Sequence, residues 1–362
     1  MAFDDKNHAW MGAGAAAATA VLLWFGTGLH PHWPLTWFAP LPVLIFALRS
    51  QWWTAALTAA AAWLAGWLSL WGYFHLLGMP PAVFWSILAE IAIAAIVAVL
   101  LFRALVLRGA VWSGLIAFPA LLVMLEFVRN LTSVHGTGGS LAYSQLTFLP
   151  FLQLASITGP WGMTFLLLLF PAALAIGVHL RKRSPGQAVS VVGTTLGVIA
   201  AVLIFGAIRL AMSPSGQQVT VGLIASDAHM NVAENGAATD RLFENYAAVA
   251  DKLAARGAQV IVLPEKLGVV LDAENGTADP VFQRLADRTA ATIVVGEVHV
   301  SGTAKYNQAR VYQPHEPVLS YDKEHMLPPF ESDLTPGTAL TLLPRGTLIV
   351  TRARLFSSVT SE

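Results

Sequence analysis

Residues 83–107 read VFWSILAEIAIAAIVAVLLFRALVL, with only Glu90 and Arg103 charged. The hydrocarbon core of a bilayer takes about 20 apolar residues of helix, so this stretch predicts a membrane-crossing helix. Similar runs flank it on both sides: Met11–Leu29, Leu35–Leu48, Trp53–Leu77, Val111–Val128, Met163–Leu180 and Val189–Ala211. The sequence therefore predicts an α-helical membrane bundle of about seven spans. The second span is short and broken by Pro40 and Pro42, which predicts a tilted or re-entrant segment. The first is too long and too poorly flanked for a cleaved leader, and no small-residue cleavage site follows it.

Composition agrees with this pattern. Of 362 residues, 56% are apolar and 12% charged, where an ordinary soluble domain carries about 25% charged residues. The charges are uneven: 10 lie from Ala9 to Gln217 and 29 from Gln218 to Glu362. The implied organisation is a polytopic membrane domain over 1–212, a soluble domain over 218–344 and an atypical tail over 345–362. With 21 acidic and 21 basic residues and no long basic run, nucleic acid is not an expected partner. There is no cysteine, which excludes disulfides and thiolate zinc sites and removes the thiol nucleophile from this chain.

Lys6, Arg49, Arg103, Arg108, Arg181, Lys182 and Arg183 fall at the N-terminus or in alternate loops. The intervening loops hold only Arg129 and Arg209, at helix ends. By the positive-inside rule the N-terminus is cytoplasmic, and seven spans deliver the soluble part to the outer face. All twelve Trp lie at or before Trp161, and Trp33, Trp52, Trp53 and Trp112 fall near span ends as interfacial anchors. Glu90 is a carboxylate inside a span, which predicts either a functional proton site or a partner on a neighbouring helix. The connector Arg129–Gly162 is long, and its apolar content predicts an ordered segment lying on the membrane surface.

From Gln218 the pattern changes to strands alternating with helices. Strands are predicted at Val219–Ile224, Gln259–Leu263, Thr292–Val298, Asn307–Tyr312 and Pro317–Tyr321. Helices are predicted at Thr239–Arg256 and, behind Asp279 as cap, at Pro280–Ala290. Alternation of this kind predicts an α/β or αββα layering. No Gly-rich phosphate loop, paired metal-ligand spacing or long repeat is visible, so no cofactor and no metal are expected.

Two loops carry chemistry. In Ile261-Val262-Leu263-Pro264-Glu265 a carboxylate follows a fully apolar strand, which places it at a sheet edge where a general base would act. In Tyr321-Asp322-Lys323-Glu324-His325-Met326-Leu327-Pro328-Pro329-Phe330-Glu331, Lys323 is placed to stabilise an oxyanion and His325 to orient its neighbours. Glu331 lies eight positions beyond Lys323, past a rigid Pro-Pro.

At these residues the chain resembles the carbon-nitrogen hydrolase (nitrilase) superfamily. With its multi-span first part it resembles, more closely, the apolipoprotein N-acyltransferase family of bacterial inner-membrane enzymes. Glu126, Arg129, Tyr143-Ser144-Gln145, Gln153-Leu154-Ala155, Gly159 and Gly162 match that family's pattern before its sixth span. Leu263-Pro264-Glu265 matches its base, Lys323-x-His325 its lysine loop, and Glu331 its second glutamate. The resemblance implies a nitrilase-like αββα domain and a two-step acyl transfer. Glu265 would deprotonate a Cys thiol, which takes an acyl chain from the sn-1 ester of a phospholipid acyl donor such as phosphatidylethanolamine. The amine of a diacylglyceryl lipoprotein acceptor then receives it. Lys323 would stabilise the oxyanion, with Glu331 supporting Lys323 and Glu265.

The family pattern also has a Cys after the next strand, a second half of the sandwich and an eighth span. After Glu331 only 31 residues remain, and Leu340–Val350 has room for one strand at most. Three accounts are consistent with this: a truncated or frameshifted product, a non-catalytic lipid- or lipoprotein-binding relative, or an enzyme using Ser357 or Ser358 as nucleophile. A transporter is a further class, since Glu90 in mid-membrane would fit proton coupling. Against it, the spans show no inverted repeat and the Glu265 and Lys323 loops would go unexplained.

Overall fold

The computed structural model describes residues 5–133, 135–212, 219–225, 236–272, 278–328, 330–341, 343–345 and 348–350. The chain divides into two units, Met1–Pro214 and Ser215–Glu362, each with its own hydrophobic core.

The first unit is all helical: α1 (Asp5–Gly26), α2 (Trp33–Thr36), α3 (Leu41–Ala47), α4 (Trp52–Trp67), α5 (Trp71–Leu76), α6 (Pro81–Leu107), α7 (Val111–Thr132), α8 (Leu149–Leu152), α9 (Ala155–Leu180) and α10 (Pro185–Ala211). Among the described residues six segments are long and apolar enough to cross a membrane: Asn7–Gly26, Trp52–Leu76, Pro81–Leu107, Val111–Thr132, Ala155–Leu180 and Pro185–Ala211. Helices α1, α4, α6, α7, α9 and α10 pack in that order, each on the next. In α9, 72% of the most apolar stretch is buried, against 17–33% in the other five, so α9 is the central helix. The others turn Ile93, Val97, Ile116, Ile204 and Ile208 outward, as side chains facing lipid would be.

Leu35–Leu48 is broken as expected: Pro40 and Pro42 cannot donate to a continuous helical ladder, so it forms the short α2 and α3 and is not among the six long segments, where about seven spans were expected. Val43, Leu44 and Ala47 of α3 are fully buried against the bundle. The connector from Arg129 to Gly162 does not simply lie on a surface. Its 3₁₀ turn Leu141–Gln145 and α8 fold inward, burying Ser144, Gln145 and Phe151. The end of the connector is helical, because α9 begins at Ala155 and kinks at Gly159, whose φ of 62° an L side chain would resist. Trp52, Trp53 and Trp112 are exposed, as expected of anchors, whereas Trp33 stacks on Phe148 at 4.1 Å within the unit.

The second unit is one mixed sheet covered on one face by two helices. Its elements are β1 (Val221–Leu223), α11 (Ala237–Ala255), β2 (Val260–Val262), β3 (Val269–Leu271), α12 (Ala278–Thr289), β4 (Thr292–Ser301), β5 (Ala304–Tyr312), β6 (Leu319–Asp322), β7 (Leu343–Arg345) and β8 (Leu348–Val350). The sheet order is β1-β2-β4-β5-β6. Strands β1, β2 and β4 run parallel, while β4, β5 and β6 run antiparallel. Phe243 and Tyr246 of α11 and Phe282 and Leu285 of α12 pack on Ile261, Ile293, Val295 and Tyr312. Each such buried apolar side chain contributes about 1.5–3 kcal/mol.

Strand β3, absent from the sequence expectation, pairs with the far end of the same β4 that β2 pairs with. Leu340–Val350 holds two short antiparallel strands, β7 and β8, rather than one. Asp279 lies inside the first turn of α12 rather than capping it, because its carboxylate accepts hydrogen bonds from Arg310 Nε and Tyr312 Oη at 2.9 and 2.8 Å. The layering observed is one helical layer on one six-stranded sheet, and β7 and β8 form a separate two-stranded sheet. The tail with Ser357 and Ser358 lies outside the described residues.

Candidate active site

Strands β2 and β3 both pair with β4, so the six residues between them must arch over its middle. Leu263 N–H donates to Val294 O, Leu267 N–H to Gly296 O and Val298 N–H to Gly268 O, which pins the arch at both ends. At Gly296 a Cβ would meet Glu265 Cα and Pro264 O at 2.6 Å, so only glycine lets the arch sit this close. Glu265 is at its crest, and Lys266 takes the left-handed conformation at φ 52°.

Lys323 follows β6 and is fixed by its own backbone. Its N–H donates to Asn307 O at 2.8 Å, and its carbonyl accepts from Gly337 N–H at 2.8 Å. The ammonium reaches Glu265 Oε1 at 3.1 Å and both oxygens of Glu331, at 3.0 and 2.9 Å. Glu331 also accepts from Lys266 Nζ at 3.0 Å, Asn307 Nδ2 at 3.0 Å and the Leu327 N–H at 2.9 Å. Asn307 Nδ2 donates in addition to Glu265 Oε1 at 2.5 Å. Two carboxylates and two ammonium groups thus form one formally neutral cluster around Glu331.

The members differ in accessibility. The Glu331 side chain is 2% exposed, while Glu265 and Lys323 are 29% and 24% exposed. Burial alone would raise the Glu331 carboxyl's pKa, but the hydrogen bonds from Lys323 and Lys266 outweigh it and hold it at about 2. Burial would likewise lower the Lys323 ammonium, yet Glu331 and Glu265 shift it upward overall. A permanently charged, buried Glu331 therefore anchors a permanently cationic Lys323 next to the accessible Glu265. Such an arrangement can accept a proton at Glu265 and stabilise developing negative charge at Lys323.

Sequence reasoning singled out Glu265, Lys323 and Glu331, which the fold brings together, and His325, which is exposed and outside the cluster. It passed over Lys266 and Asn307. Adjacency to Glu265 is the one signal that points to Lys266, and the opening of a predicted strand the one that points to Asn307. Among the described residues no three of His, Asp and Glu stand close enough to hold a metal ion.

In the membrane unit Glu90 is paired: Arg129 Nη2 lies 2.7 Å from its Oε1. Glu126 accepts from Ser140 Oγ and the Leu141 N–H, both at 3.0 Å. Gln145 is fully buried, accepting from Trp37 Nε1 and donating to Trp33 O and Thr36 Oγ1. Arg209 Nε donates to Gln153 Oε1 at 3.1 Å. Of the two expectations for Glu90, the structure shows a partner on a neighbouring helix.

Helices of membrane-crossing length and an α/β unit with a glutamate, lysine and glutamate cluster define a multi-pass membrane protein whose α/β unit holds a charged cluster. A profile of the apolipoprotein N-acyltransferase N-terminal domain matches residues 19–173. An apolipoprotein N-acyltransferase of Bradyrhizobium diazoefficiens is 27% identical over 274 residues, 70% of this chain and 48% of that protein. Another, of Geobacter metallireducens, is 28% identical over 225 residues, 60% of this chain and 43% of that one. Over residues 19–173 the chain is thus similar to the apolipoprotein N-acyltransferase N-terminal domain, and it spans about half the length of the curated relatives it matches. Among solved structures, an amidase from Nesterenkonia sp. aligns with 38% of this chain and 56% of its own at 18% identity and a TM-score of 0.30. A carbon-nitrogen hydrolase from Helicobacter pylori G27 aligns with 33% of this chain and 45% of its own at 14% identity and a TM-score of 0.28.

Proposed function

We propose that this chain carries the lipid-facing helices and the acid–base half of an N-acyltransfer site. The observation that carries the reading is the Glu265–Lys323–Glu331 cluster in a chain similar to apolipoprotein N-acyltransferases. Glu265, the accessible carboxylate, acts as general base toward a thiol. Lys323, held cationic, stabilises the oxyanion formed when that thiolate attacks a phospholipid ester. Glu331, Lys266 and Asn307 position these two without touching the reacting atoms. Collapse of that intermediate breaks the ester C–O bond and releases a lysophospholipid, which takes the proton back from Glu265; the amine of a diacylglyceryl lipoprotein then attacks the thioester, giving its proton to Glu265 and releasing the thiol as the amide forms. With no cysteine in 362 residues, the thiol has to come from outside this chain.

The test joins this chain to the cysteine-bearing remainder of the Bradyrhizobium relative and assays acylation of a diacylated lipopeptide from labelled phospholipid. Transfer that falls by about 10²-fold or more on Glu265→Gln is expected of a general base. Transfer unchanged by that substitution overturns the assignment. The chain alone is expected to form no stable acyl adduct. The absence of a cysteine also favours a second reading, a lipid-binding relative without transfer, which predicts an inactive fusion.

The same proposal places the chain in the inner membrane with its N-terminus cytoplasmic and its α/β unit outside. Arg103 Nε and Nη2 donate to Ser50 O at 3.2 and 2.7 Å, which puts the α3–α4 turn with Arg49 at the same end of the bundle as the end of α6. This supports α2 and α3 as a broken crossing segment that keeps the basic loops on one side. A reporter fused after Ser215 is expected to be active only on the outer face, and cytoplasmic activity would sink the topology.

A further inference from the structure

We propose that Glu297 and His299 are positioning residues for Glu265: one proton shared between their side chains ties the β3 end of the Glu265 arch to the sheet. The bearing of this tether on catalysis rests on Glu265 as general base, whereas the tether itself is read without acyl transfer.

Glu297 follows Gly296 on β4, and neighbouring residues of a strand face opposite ways. The arch sits over Gly296, so Glu297 lies beneath it, on the face where Ile293 and Val295 meet α12. Its side chain is fully buried, and among the described residues neither oxygen has a hydrogen-bond partner. Buried polar groups are almost always paired, so this one stands out. Arg310 Nε is 3.9 Å from Glu297 Oε1, but it is committed elsewhere: Nε and Nη2 donate to Asp279 of α12, and Nη1 donates to Gln308. Tyr312 Oη also donates to Asp279. His299 is the uncommitted neighbour. Its Nδ1 is buried without a partner among the described residues, 3.8 Å from Glu297 Oε1.

On the other side of the ring, His299 Nε2 lies 2.9 Å from Asp272 Oδ1, and Tyr306 stands across from His299 on β5. A carboxylate this close draws the ring proton to Nε2, which leaves Nδ1 as a bare lone pair toward Glu297. Asp272 directly follows β3, the three-residue strand into which the arch runs and which pairs with β4 beside His299. Side-chain exposure falls from 48% at Asp272 to 14% at His299 and 0% at Glu297, so the row leads from solvent to the interior. A proton on Glu297 or on Nδ1 lets the two atoms hydrogen-bond, and Asp272, His299 and Glu297 then form one tether. Without that proton a carboxylate and a lone pair face each other, and β3 loses its side-chain attachment. Burial pushes the Glu297 carboxyl up to about 7 against the opposing charge of Arg310, so the tether holds below neutrality and is lost above it. The lysine side is anchored separately, because Asp322 Oδ1 accepts from Gln308 Nε2 at 2.7 Å. Loss of the proton therefore frees Glu265 relative to Lys323.

The test follows hydrogen exchange of the Leu267 and Val298 amides in the full chain in detergent, corrected for intrinsic rates, from about pH 5 to about pH 8. These amides donate to Gly296 O and from β4 to Gly268 O, the bonds that pin the arch. In the native chain their exchange is expected to be about tenfold faster at the alkaline end, the worth of one hydrogen bond. Glu297→Gln, whose amide donates to Nδ1 at every pH, should keep the slow rate throughout. Asp272→Ala, at a half-exposed position, should show the fast rate throughout, with residues 323–331 unchanged. An arch that still loosens with pH in Glu297→Gln overturns the proposal, as does Asp272→Ala exchange that matches the native chain. Both amides report on the arch whether or not Glu265 is a base, so acyl transfer that survives Glu265→Gln sinks that reading alone.

Discussion

Lys323 Nζ bridges Glu265 and Glu331, 3.1 Å from Oε1 of the first and 2.9 Å from Oε2 of the second. The two carboxylates differ in what surrounds them. Glu331 is sealed and accepts from three side chains and a backbone N–H, while Glu265 remains partly open. The buried partner therefore fixes the ammonium, and the open partner is the one that solvent reaches.

Removing the Glu331 charge leaves Lys266 and Lys323 facing a neutral group. Glu331→Gln should loosen residues 323–331 by roughly 2–4 kcal/mol, less than for a fully buried pair because both lysines are partly solvated. The Glu331 carboxyl is held at about 2 against an ordinary 4.5, so its stabilisation is complete above 4.5 and is lost as pH falls from there toward 2. Hydrogen exchange of this segment, corrected for intrinsic rates, should show that acid loss in the native chain and none in the variant. Identical pH profiles for the two would refute the anchoring role.

Glu297 predicts the opposite dependence. It is fully buried in β4, and among the described residues neither carboxylate oxygen has a hydrogen-bond partner. Arg310 Nε is 3.9 Å away and His299 Nδ1 3.8 Å. Burial pushes the carboxyl up to about 7, with Arg310 opposing and Asp279 adding to the shift. Between 4.5 and 7 the folded chain holds a proton that the unfolded chain has released, so stability falls as pH rises through this window, by about 3 kcal/mol in total. Glu297→Gln should flatten that decline when β4 protection is followed by hydrogen exchange. A decline that persists in the variant would assign the effect to another group.

Gly296→Ala tests the arch that carries Glu265. The added methyl meets backbone atoms at 2.6 Å, which cannot rotate away as a side chain can. A loss of about 1–3 kcal/mol is expected, concentrated in residues 263–268. Uniform protection across that arch, unchanged from the native chain, would mean the close approach carries no constraint.

In the membrane unit, Gln145→Leu strands the Trp37 indole N–H inside the bundle and removes a donor from the Trp33 carbonyl, which keeps the Thr36 hydroxyl. Each buried group left unpaired costs about 1–3 kcal/mol. The melting temperature of the detergent-solubilised chain should fall by several degrees relative to a half-buried control such as Gln187→Leu. Equal melting of the two variants would show that the connector is held by apolar contacts alone.

Much of this was legible in the linear sequence because it is periodic. Long apolar runs such as 83–107 can only be satisfied in lipid or in a helical bundle, and the apolar strand ending in Leu263-Pro264-Glu265 shows where a carboxylate emerges at a sheet edge. Breaks in periodicity were harder. The prolines of Leu35–Leu48 were visible, but the packing of α3 within the bundle was not. The connector from Arg129 reads as surface by composition, yet Gln145 draws it inward through partners more than a hundred positions away.

The sequence by itself determined the division into a membrane part and a charged α/β part, the residue types of an acid–base site and the lack of a thiol. These follow from composition and local pattern, which do not depend on what folds against what. Only the tertiary structure decided that Lys266 and Asn307 join the cluster, that Glu331 is its buried centre, and that Glu90 is held by Arg129. Hydrogen bonds between residues tens of positions apart are set by sheet register and helix packing, and one sequence read alone carries no mark of them.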